Sequence, residues 1–248
     1  MILCIDAGNS RIKWRLTDSG KMLAQGAQLT SEVVEGKNID FSDIKSLHEV
    51  RIASVAGEKI VEQLQQQMHQ QFSVPIRLAA VSATLGELSC AYEDPQTLGV
   101  DRWLAIAAAH QQYQEPLMVI DAGSAITIDI IGPGGQHVGG YIAPGLRLMH
   151  DALWDNTSDV RVVGSGAEEL WLPGKNTQQA VNKGCLLSAV STIESLAAQF
   201  PVRIVITGGD AKILMQAISL NADYHSNLVL DGMLLDGVDW LGIDAQLN

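Results

Sequence analysis

Short apolar runs recur along the chain, and each is interrupted within a few residues by glycine or by polar residues. Apolar and polar positions alternate over 12–16 and again over 126–131. A period of two is typical of β-strands, and short continuous apolar runs are typical of strands buried on both faces of a sheet. We expect helices over 59–71, 101–112, 146–153, 177–199 and 210–220, with Asp101 and Thr177 as N-caps. The pattern predicts an α/β protein.

One six-residue pattern occurs twice: 5–10 reads IDAGNS and 120–125 reads IDAGSA. Each copy is followed by an apolar run and then by a turn, at 18–20 in the first case and at 132–135 in the second. Each copy therefore predicts a strand, a tight glycine turn, a second strand, a hairpin turn and a third strand. A second likeness, between 50–57 and 202–209, adds a strand followed by a helix to each copy.

The repeat predicts that the chain arose by internal duplication and forms two related α/β domains that face each other. The boundary is expected near Glu115-Pro116, which gives an N-terminal domain over 1–115 and a C-terminal domain over 116–248. A chain of 248 residues is long enough for two modest domains, at a prior of roughly 150 residues per domain.

Composition narrows the classes of function. The net charge is −12, which repels a phosphate backbone and argues against nucleic-acid binding. The three cysteines, Cys4, Cys90 and Cys185, are odd in number and far apart, so neither a disulfide framework nor a zinc site is indicated. No basic leader segment and no apolar run of about 18 residues is present, and we therefore expect a cytoplasmic protein without a membrane span.

The first candidate site is the turn that follows Asp6. A carboxylate at the end of a buried strand is costly unless it has a task, such as holding Mg²⁺ through water. Gly8 allows a sharp turn, and Asn9, Ser10 and Lys13 then offer an amide, a hydroxyl and an ammonium group to phosphate oxygens. An ordinary hairpin turn is the alternative for one copy alone. Two copies in matching context favour a two-lobed nucleotide clamp.

The second candidate site is the segment 92–103, in which turn residues lead into a helix whose first residues are Asp101 and Arg102. Asp101 could be a plain N-cap. It could also be a general base that accepts a hydroxyl proton while Arg102 stabilises the charge of a phosphoryl group in transfer. The two roles are compatible at a helix N-terminus.

Two glycine-rich segments carry weaker signals. The segment 139–145 could wall a substrate pocket or form a plain turn, and 207–211 ends a strand where adenine or ribose could lie against bare backbone. No P-loop is present, and Gly164-Ser165-Gly166 lacks the later glycine of a dinucleotide fingerprint, so we interpret it as a loop.

Five motifs together resemble the type III pantothenate kinases of the acetate and sugar kinase/heat-shock chaperone/actin superfamily. These are DAGNSRIKW at 6–14, LGVDRW at 98–103, DAGSAITID at 121–129, GGYIAPG at 139–145 and TGGDA at 207–211. Their order and spacing are specific although each is weak or moderate alone. The resemblance implies two ribonuclease H-like, actin-like ATPase domains with mixed sheets. It also implies ATP-dependent phosphorylation of pantothenate, in the first step of coenzyme A biosynthesis.

The resemblance also implies the roles of individual residues. Asp101 would be the catalytic base, Asp6 would lie near Mg²⁺, and Asp121 would hold a monovalent cation, K⁺ or NH₄⁺. Contacts to ATP would come from Asp6, Ala7, Gly8, Asn9, Ser10, Arg11, Ile12, Lys13 and Ser124. Contacts to pantothenate would come from Tyr92, Gly99, Val100, Asp101, Arg102 and Thr177. The family works as a homodimer with the active site near the subunit interface.

Two positions depart from the commonest family pattern. Ser10 and Ser124 stand where the family often has threonine, and both keep the hydroxyl group.

Two other functions are weighed against the kinase. One is a non-catalytic regulatory protein on the same scaffold, which would have no need of Asp101 beside Arg102. The other is a kinase of a different small hydroxylated substrate, such as a sugar, but such kinases tend to be longer.

Overall fold

The computed structural model describes residues 1–154 and 170–242. These residues form two compact units. The first comprises Met1–Ala108 together with the chain from Leu228 onward, and the second is Ala109–Asn227. This division differs from the predicted one at 1–115 and 116–248, because the C-terminal part of the chain returns to the first unit. The expected loop at Gly164–Gly166 lies outside the described residues.

The first unit is built on a six-stranded mixed sheet with helices around it. Its strands are β1 (Ile2–Ala7), β2 (Arg11–Asp18), β3 (Lys21–Leu29), β4 (Glu49–Ser54), β5 (Ile76–Ala80), the short pair β6 (Thr84–Leu85) and β7 (Leu88–Ser89), and the C-terminal β13 (Asp239–Gly242). Its helices are α1 (Thr30–Val34), α2 (Glu58–Gln71), α3 (Val100–Tyr113), which continues into the second unit, and α7 (Leu228–Gly232). The strand order is β13-β5-β4-β1-β2-β3, and β6 pairs separately with β7.

The second unit holds a five-stranded mixed sheet. Its strands are β8 (Leu117–Ala122), β9 (Ala125–Ile131), β10 (His137–Pro144), β11 (Arg203–Thr207) and β12 (Ala222–Tyr224). Its helices are α4 (Leu146–Trp154), α5 (Thr177–Gln199) and α6 (Ala211–Ala217). The strand order is β10-β9-β8-β11-β12.

The two sheets share one topology. In the first, β1 is antiparallel to β2 and parallel to β4, and in the second β8 is antiparallel to β9 and parallel to β11. The remaining pairs follow the same rule, since β2 and β3 and likewise β9 and β10 are antiparallel, while β4 and β5 and likewise β11 and β12 are parallel. An internal duplication would produce such a common plan, and the duplication itself stays a prediction.

The apolar periodicity explains where each core lies. In the first unit, Leu3 and Ile5 of β1 and Ile52 of β4 are fully buried on one face of the sheet, and Leu64 and Met68 of α2 pack into the same core. In the second unit, Ile120, Val190 and Leu214 belong to a separate apolar cluster between the sheet, α5 and α6. Leu64 and Met68 are four residues apart, so both side chains lie on the same face of α2.

The turns and helix starts follow local chemistry, with two corrections. The hairpin between β2 and β3 has Ser19 and Gly20 at φ 46° and 79°, the combination that a two-residue turn of this hand requires. The prediction that Thr177 is an N-cap is wrong, because Asn176 precedes α5 and its side chain accepts from Gln179 N at 2.9 Å. The same prediction for Asp101 is wrong, because α3 already begins at Val100.

Among the described residues, no helix is both long enough and apolar enough to span a membrane.

Candidate active site

The turn after β1 places a carboxylate and an ammonium group on one face of the sheet. Asp6 lies opposite Lys13 in the antiparallel β1–β2 pair, and directly opposite residues project to the same side. Asp6 also lies beside Ala53 of the parallel strand β4. Asp6 and Lys13 are each half-buried. The pairing brings together two of the predicted phosphate-binding residues.

This turn is fixed by a residue that sequence reasoning missed. Gly8 N donates to Arg11 O at 3.0 Å and closes the loop. Thr30, which is buried, donates from Oγ1 to Gly8 O at 2.7 Å and from its backbone N to Ser10 O at 3.1 Å. No local pattern links Thr30 to a turn so far before it in the chain. Asn9 is exposed at the tip, where its amide can meet a ligand.

The corresponding turn in the second unit follows Asp121. Here Asp121 lies opposite Thr127 and beside Thr207 of the parallel strand β11. Gly123 N donates to Ala125 O at 2.9 Å, so this turn is one residue shorter than the first. Ser124 is exposed at its tip. A neutral threonine thus takes the place that lysine has in the first unit.

Two glycines pack directly against the second turn. A Cβ on Gly145 would lie 2.3 Å from Gly123 O, and a Cβ on Gly208 would lie 2.4 Å from Ala122 O and 2.5 Å from Asp121 Oδ1. Gly208 also has φ of 100°, a conformation that L side chains rarely adopt. Gly208 is therefore packed against the backbone around Asp121, while an approach of adenine or ribose to 207–211 stays a prediction.

The segment 139–145 lies mostly in a strand. His137–Pro144 is the edge strand β10, antiparallel to β9, which is the third strand that the repeat predicts after the turn at 132–135, so the alternative of a plain turn is wrong. A role of this segment as the wall of a substrate pocket stays a prediction. Its glycines are accommodated in a strand with a register shift between His137 and Gly139, and Gly139 has φ of 132°. Its close contact is the one at Gly145, which immediately follows the strand.

The start of α3 orients the side chains of the candidate base, Asp101, and of the arginine that follows it, Arg102. Asp101 Oδ1 accepts from the backbone N of Arg102 at 2.8 Å. The Arg102 side chain is buried, at 7% exposure for the residue, and its Nη1 donates to Tyr92 Oη at 3.1 Å. The helix N-terminus thus carries a carboxylate held by a backbone N–H and, on the next residue, a buried guanidinium held by a tyrosine hydroxyl. Three of the predicted pantothenate contacts, Tyr92, Asp101 and Arg102, are thus neighbours in space.

Thr177 lies at the first turn of α5 and is exposed. It lines an open, mostly apolar cavity of about 610 Å³ between α4 and α5, whose walls include Leu148, Val181 and Cys185. This cavity is a feature that sequence reasoning missed. Thr177 belongs to the second unit and Asp101 to the first, so their sharing of one site stays a prediction.

Two comparisons of sequence agree on one family. The family model for type III pantothenate kinases matches residues 2–199. The type III pantothenate kinase of Chromohalobacter salexigens is 36% identical over 242 residues, which cover 94% of this chain and 86% of that protein. The type III pantothenate kinase of Teredinibacter turnerae is 37% identical over 246 residues, which cover 95% and 98%.

Solved structures agree on the fold. A Campylobacter jejuni protein described as a Baf family transcriptional activator has a TM-score of 0.59 at 24% identity, over 93% of this chain and 94% of that one. A Sinorhizobium meliloti protein described as a 2-dehydro-3-deoxygalactonokinase also has a TM-score of 0.59, at 13% identity and 94% coverage of both chains. These likenesses establish the α/β fold of the sugar kinases and actin-like ATPases. The family match and the identity over almost the whole length show that this chain belongs to the type III pantothenate kinase family.

Proposed function

We propose that this chain transfers the γ-phosphoryl group of ATP to the primary hydroxyl of pantothenate, giving 4'-phosphopantothenate, with Asp101 as the general base. The observation that carries the proposal is the start of α3, where Asp101 Oδ1 accepts from the backbone N of Arg102 and the buried Arg102 guanidinium donates to Tyr92 Oη. The names of the relatives supply the substrate. The reaction is the first step of coenzyme A biosynthesis.

Asp101 has the chemistry for the proton transfer. A carboxylate accepts the hydroxyl proton as the oxygen attacks phosphorus, so that the nucleophile gains charge without forming a free alkoxide. Arg102 supplies a permanent positive charge that stabilises the developing charge on the phosphoryl oxygens. Its hydrogen bond to Tyr92 Oη holds the guanidinium in place, so the conformational entropy of this side chain is already lost before the reaction begins.

The first turn is proposed to bind the ATP phosphates. Asn9, exposed at the tip of the turn, offers its side-chain amide N–H groups, and Lys13 lies on the face of the sheet that carries Asp6. The proposed set is Asp6, Ala7, Gly8, Asn9, Ser10, Arg11, Ile12, Lys13 and, from the second unit, Ser124. The hydroxyl groups of Ser10 and Ser124 preserve the donors of the family pattern.

The residues present fit the cations that the family implies. A single half-buried carboxylate, Asp6, suits Mg²⁺, which proteins often hold through one or two carboxylates, water and substrate phosphates. Around Gly208, the carbonyl oxygen of Ala122 and Oδ1 of Asp121 crowd one small volume, and oxygen donors of this kind suit K⁺ or NH₄⁺. When bound, these cations would neutralise phosphate charge in a chain whose net charge is −12.

Pantothenate is proposed to contact Tyr92, Gly99, Val100, Asp101, Arg102 and Thr177. We further propose a cytoplasmic homodimer without nucleic-acid or membrane partners. The two units are proposed to be the duplicated actin-like domains, which their common strand order supports.

The test is a coupled ADP-release assay with Mg-ATP and K⁺, with and without pantothenate, on the full chain and on Asp101→Asn. We expect pantothenate-dependent ADP release that falls by about 100- to 10,000-fold in the variant, the range for loss of a general base. Asp40→Asn is the matched control, because Asp40 is exposed and also accepts from a nearby backbone N–H, that of Ser42 at 3.0 Å.

Each outcome has a distinct meaning. Release that depends on pantothenate but persists in Asp101→Asn would disprove the base while leaving the reaction in place. Release that pantothenate does not stimulate in the unaltered chain would disprove the substrate. Equal loss in Asp40→Asn would indicate that the substitution acts through folding and not through the site.

A further inference from the structure

Gly99 is the residue immediately before α3, and its lack of a side chain calls for an explanation. Its carbonyl oxygen accepts from Trp103 N at 3.1 Å, so it closes the first turn of the helix. Its φ lies outside the left-handed range that L side chains rarely adopt. Glycine is therefore not needed here for backbone freedom.

The steric surroundings of Gly99 point to one atom. A Cβ at this position would lie 2.6 Å from Asp101 Oδ1, a separation that real Cβ atoms essentially never show. The next nearest atoms, Arg102 Cδ and Asp101 Cγ, would both lie at 3.8 Å, which is ordinary contact. The space that glycine leaves empty is thus the space that the Asp101 carboxylate oxygen uses.

The same oxygen is the one that accepts from Arg102 N at 2.8 Å. A methyl group at Gly99 cannot shift the helix, whose following residues Val100 and Arg102 are buried, so the carboxylate is the group that gives way. Rotation of the carboxylate away from the helix N-terminus breaks its hydrogen bond to Arg102 N. With Oδ1 fixed, the plane of the carboxylate and the direction of its second oxygen are fixed as well.

We propose that Gly99 is a positioning residue: by leaving room for Asp101 Oδ1 against the N-terminus of α3, it holds the carboxylate of the base in one orientation toward the substrate hydroxyl. The inference rests on the proposed function and deepens it. It assigns to Gly99 an action through Asp101, in addition to the proposed contact with pantothenate.

The kinetic test compares Gly99→Ala with the unaltered chain. We expect kcat to fall at least about 10-fold while KM for pantothenate changes less than about threefold, since a misplaced base affects the chemical step more than ground-state binding. We also expect the acidic limb of the pH–rate profile to move to higher pH, because the carboxylate loses a donor that favours its charged form. Gly132→Ala is the control, as Gly132 has φ of −82° and its added Cβ would meet atoms at no less than 3.5 Å.

A second measurement removes the dependence on activity. Alanine at a helix N-cap is unfavourable in itself, so the melting temperature is measured for Gly99→Ala in the unaltered chain and in Asp101→Ala, which lacks the clashing oxygen. We expect the fall caused by Gly99→Ala to be smaller by about 3 °C in the Asp101→Ala background. This coupling is measurable even if pantothenate is not the substrate, so the two proposals fail separately.

Two results would overturn the inference. One is a kcat for Gly99→Ala within twofold of the unaltered chain, with an unchanged pH profile. The other is an equal fall in melting temperature in both backgrounds, which would show that the methyl group clashes with something other than the Asp101 carboxylate.

Discussion

The turns after β1 and β8 occupy equivalent places in two sheets of the same topology, yet they are built differently. The first turn is held by a side chain, through the Thr30 hydroxyl on Gly8 O, and has Lys13 opposite Asp6. The second is one residue shorter, has Thr127 opposite Asp121, and is enclosed by glycine backbone. A shared strand order therefore does not imply shared chemistry. The first turn presents cationic and amide donors, while the second concentrates oxygen atoms.

The largest expected effect tests the crowding at the second turn. Gly208→Ala adds a Cβ at 2.4 Å from Ala122 O in a residue with φ of 100°. We expect the free energy of unfolding to fall by about 3–5 kcal/mol, from backbone strain together with overpacking. Urea unfolding followed by circular dichroism measures the change.

Gly57→Ala is the matched control in the first unit. Gly57 has φ of 85°, but no atom lies within 4 Å of an added Cβ. Strain alone should lower the free energy of unfolding by about 1–3 kcal/mol. Equal losses in the two variants would show that packing against the second turn contributes nothing.

The next effect concerns the charge that distinguishes the turns. Lys13→Thr gives the first turn the neutral residue that the second turn has. We expect KM for ATP to rise by about 10- to 100-fold, because the variant loses one charge-assisted hydrogen bond to the phosphates. The reciprocal Thr127→Lys places an ammonium group opposite Asp121. Activity of that variant should no longer depend on K⁺ or NH₄⁺. Steady-state kinetics in Tris buffer with and without KCl tests both expectations, and continued stimulation of Thr127→Lys by K⁺ would contradict a cation site at Asp121.

A smaller effect is expected at Thr30. Thr30→Val keeps the shape of the side chain but removes the hydroxyl that donates to Gly8 O at 2.7 Å. An unpaired, partly buried carbonyl oxygen should lower the free energy of unfolding by about 1–2 kcal/mol and loosen the first turn. Thr30→Ser retains the hydroxyl and should keep most of the stability, measured by urea unfolding, and most of the ATP affinity, measured as KM for ATP. If both variants lose stability and ATP affinity to a similar extent, the packing of the threonine methyl group and not its hydroxyl holds the turn.

The smallest expected effect is a loss of stability at alkaline pH, and it depends on a residue that differs between equivalent strands of the two sheets. Burial raises the pKa of the Cys4 thiol to about 12. The folded state therefore favours the neutral thiol, so its stabilising contribution is present below the pKa of the unfolded chain, 9.0, and is lost as the pH rises from there toward 12. Val119 is the register equivalent of Cys4 in β8.

Cys4→Val copies that residue and removes the titrating group. Between pH 9 and pH 10 the unaltered chain should lose about 1 kcal/mol more stability than Cys4→Val, measured as the difference in urea midpoints. Other groups titrate equally in both proteins, so parallel losses would show that Cys4 makes no contribution to alkaline unfolding.

The repeats in the sequence located the equivalent elements of the two units, but only one of the two repeats aligned equivalent residues correctly. The IDAG segments align Asp6 with Asp121 correctly, because the motif is local and both copies end a buried strand. The later likeness pairs 50–57 with 202–209, whereas the sheets place Ile52 and Ile206 at equivalent positions beside Ile5 and Ile120. A shift of two residues keeps every side chain on its face, so hydrophobic alternation cannot detect it.

The sequence by itself determined the family, the α/β class, most helix positions and the candidate residues of the site, because these depend on motifs and on contacts between near neighbours. The tertiary structure decided that Lys13 faces Asp6, that Thr30 fixes the first turn, and that β13 joins β5 of the first unit. It also placed Asp101 Oδ1 in the space that a side chain at position 99 would need. These facts depend on strand register and on the packing of distant segments, which are set by the summed burial of whole elements and leave no mark in a local pattern.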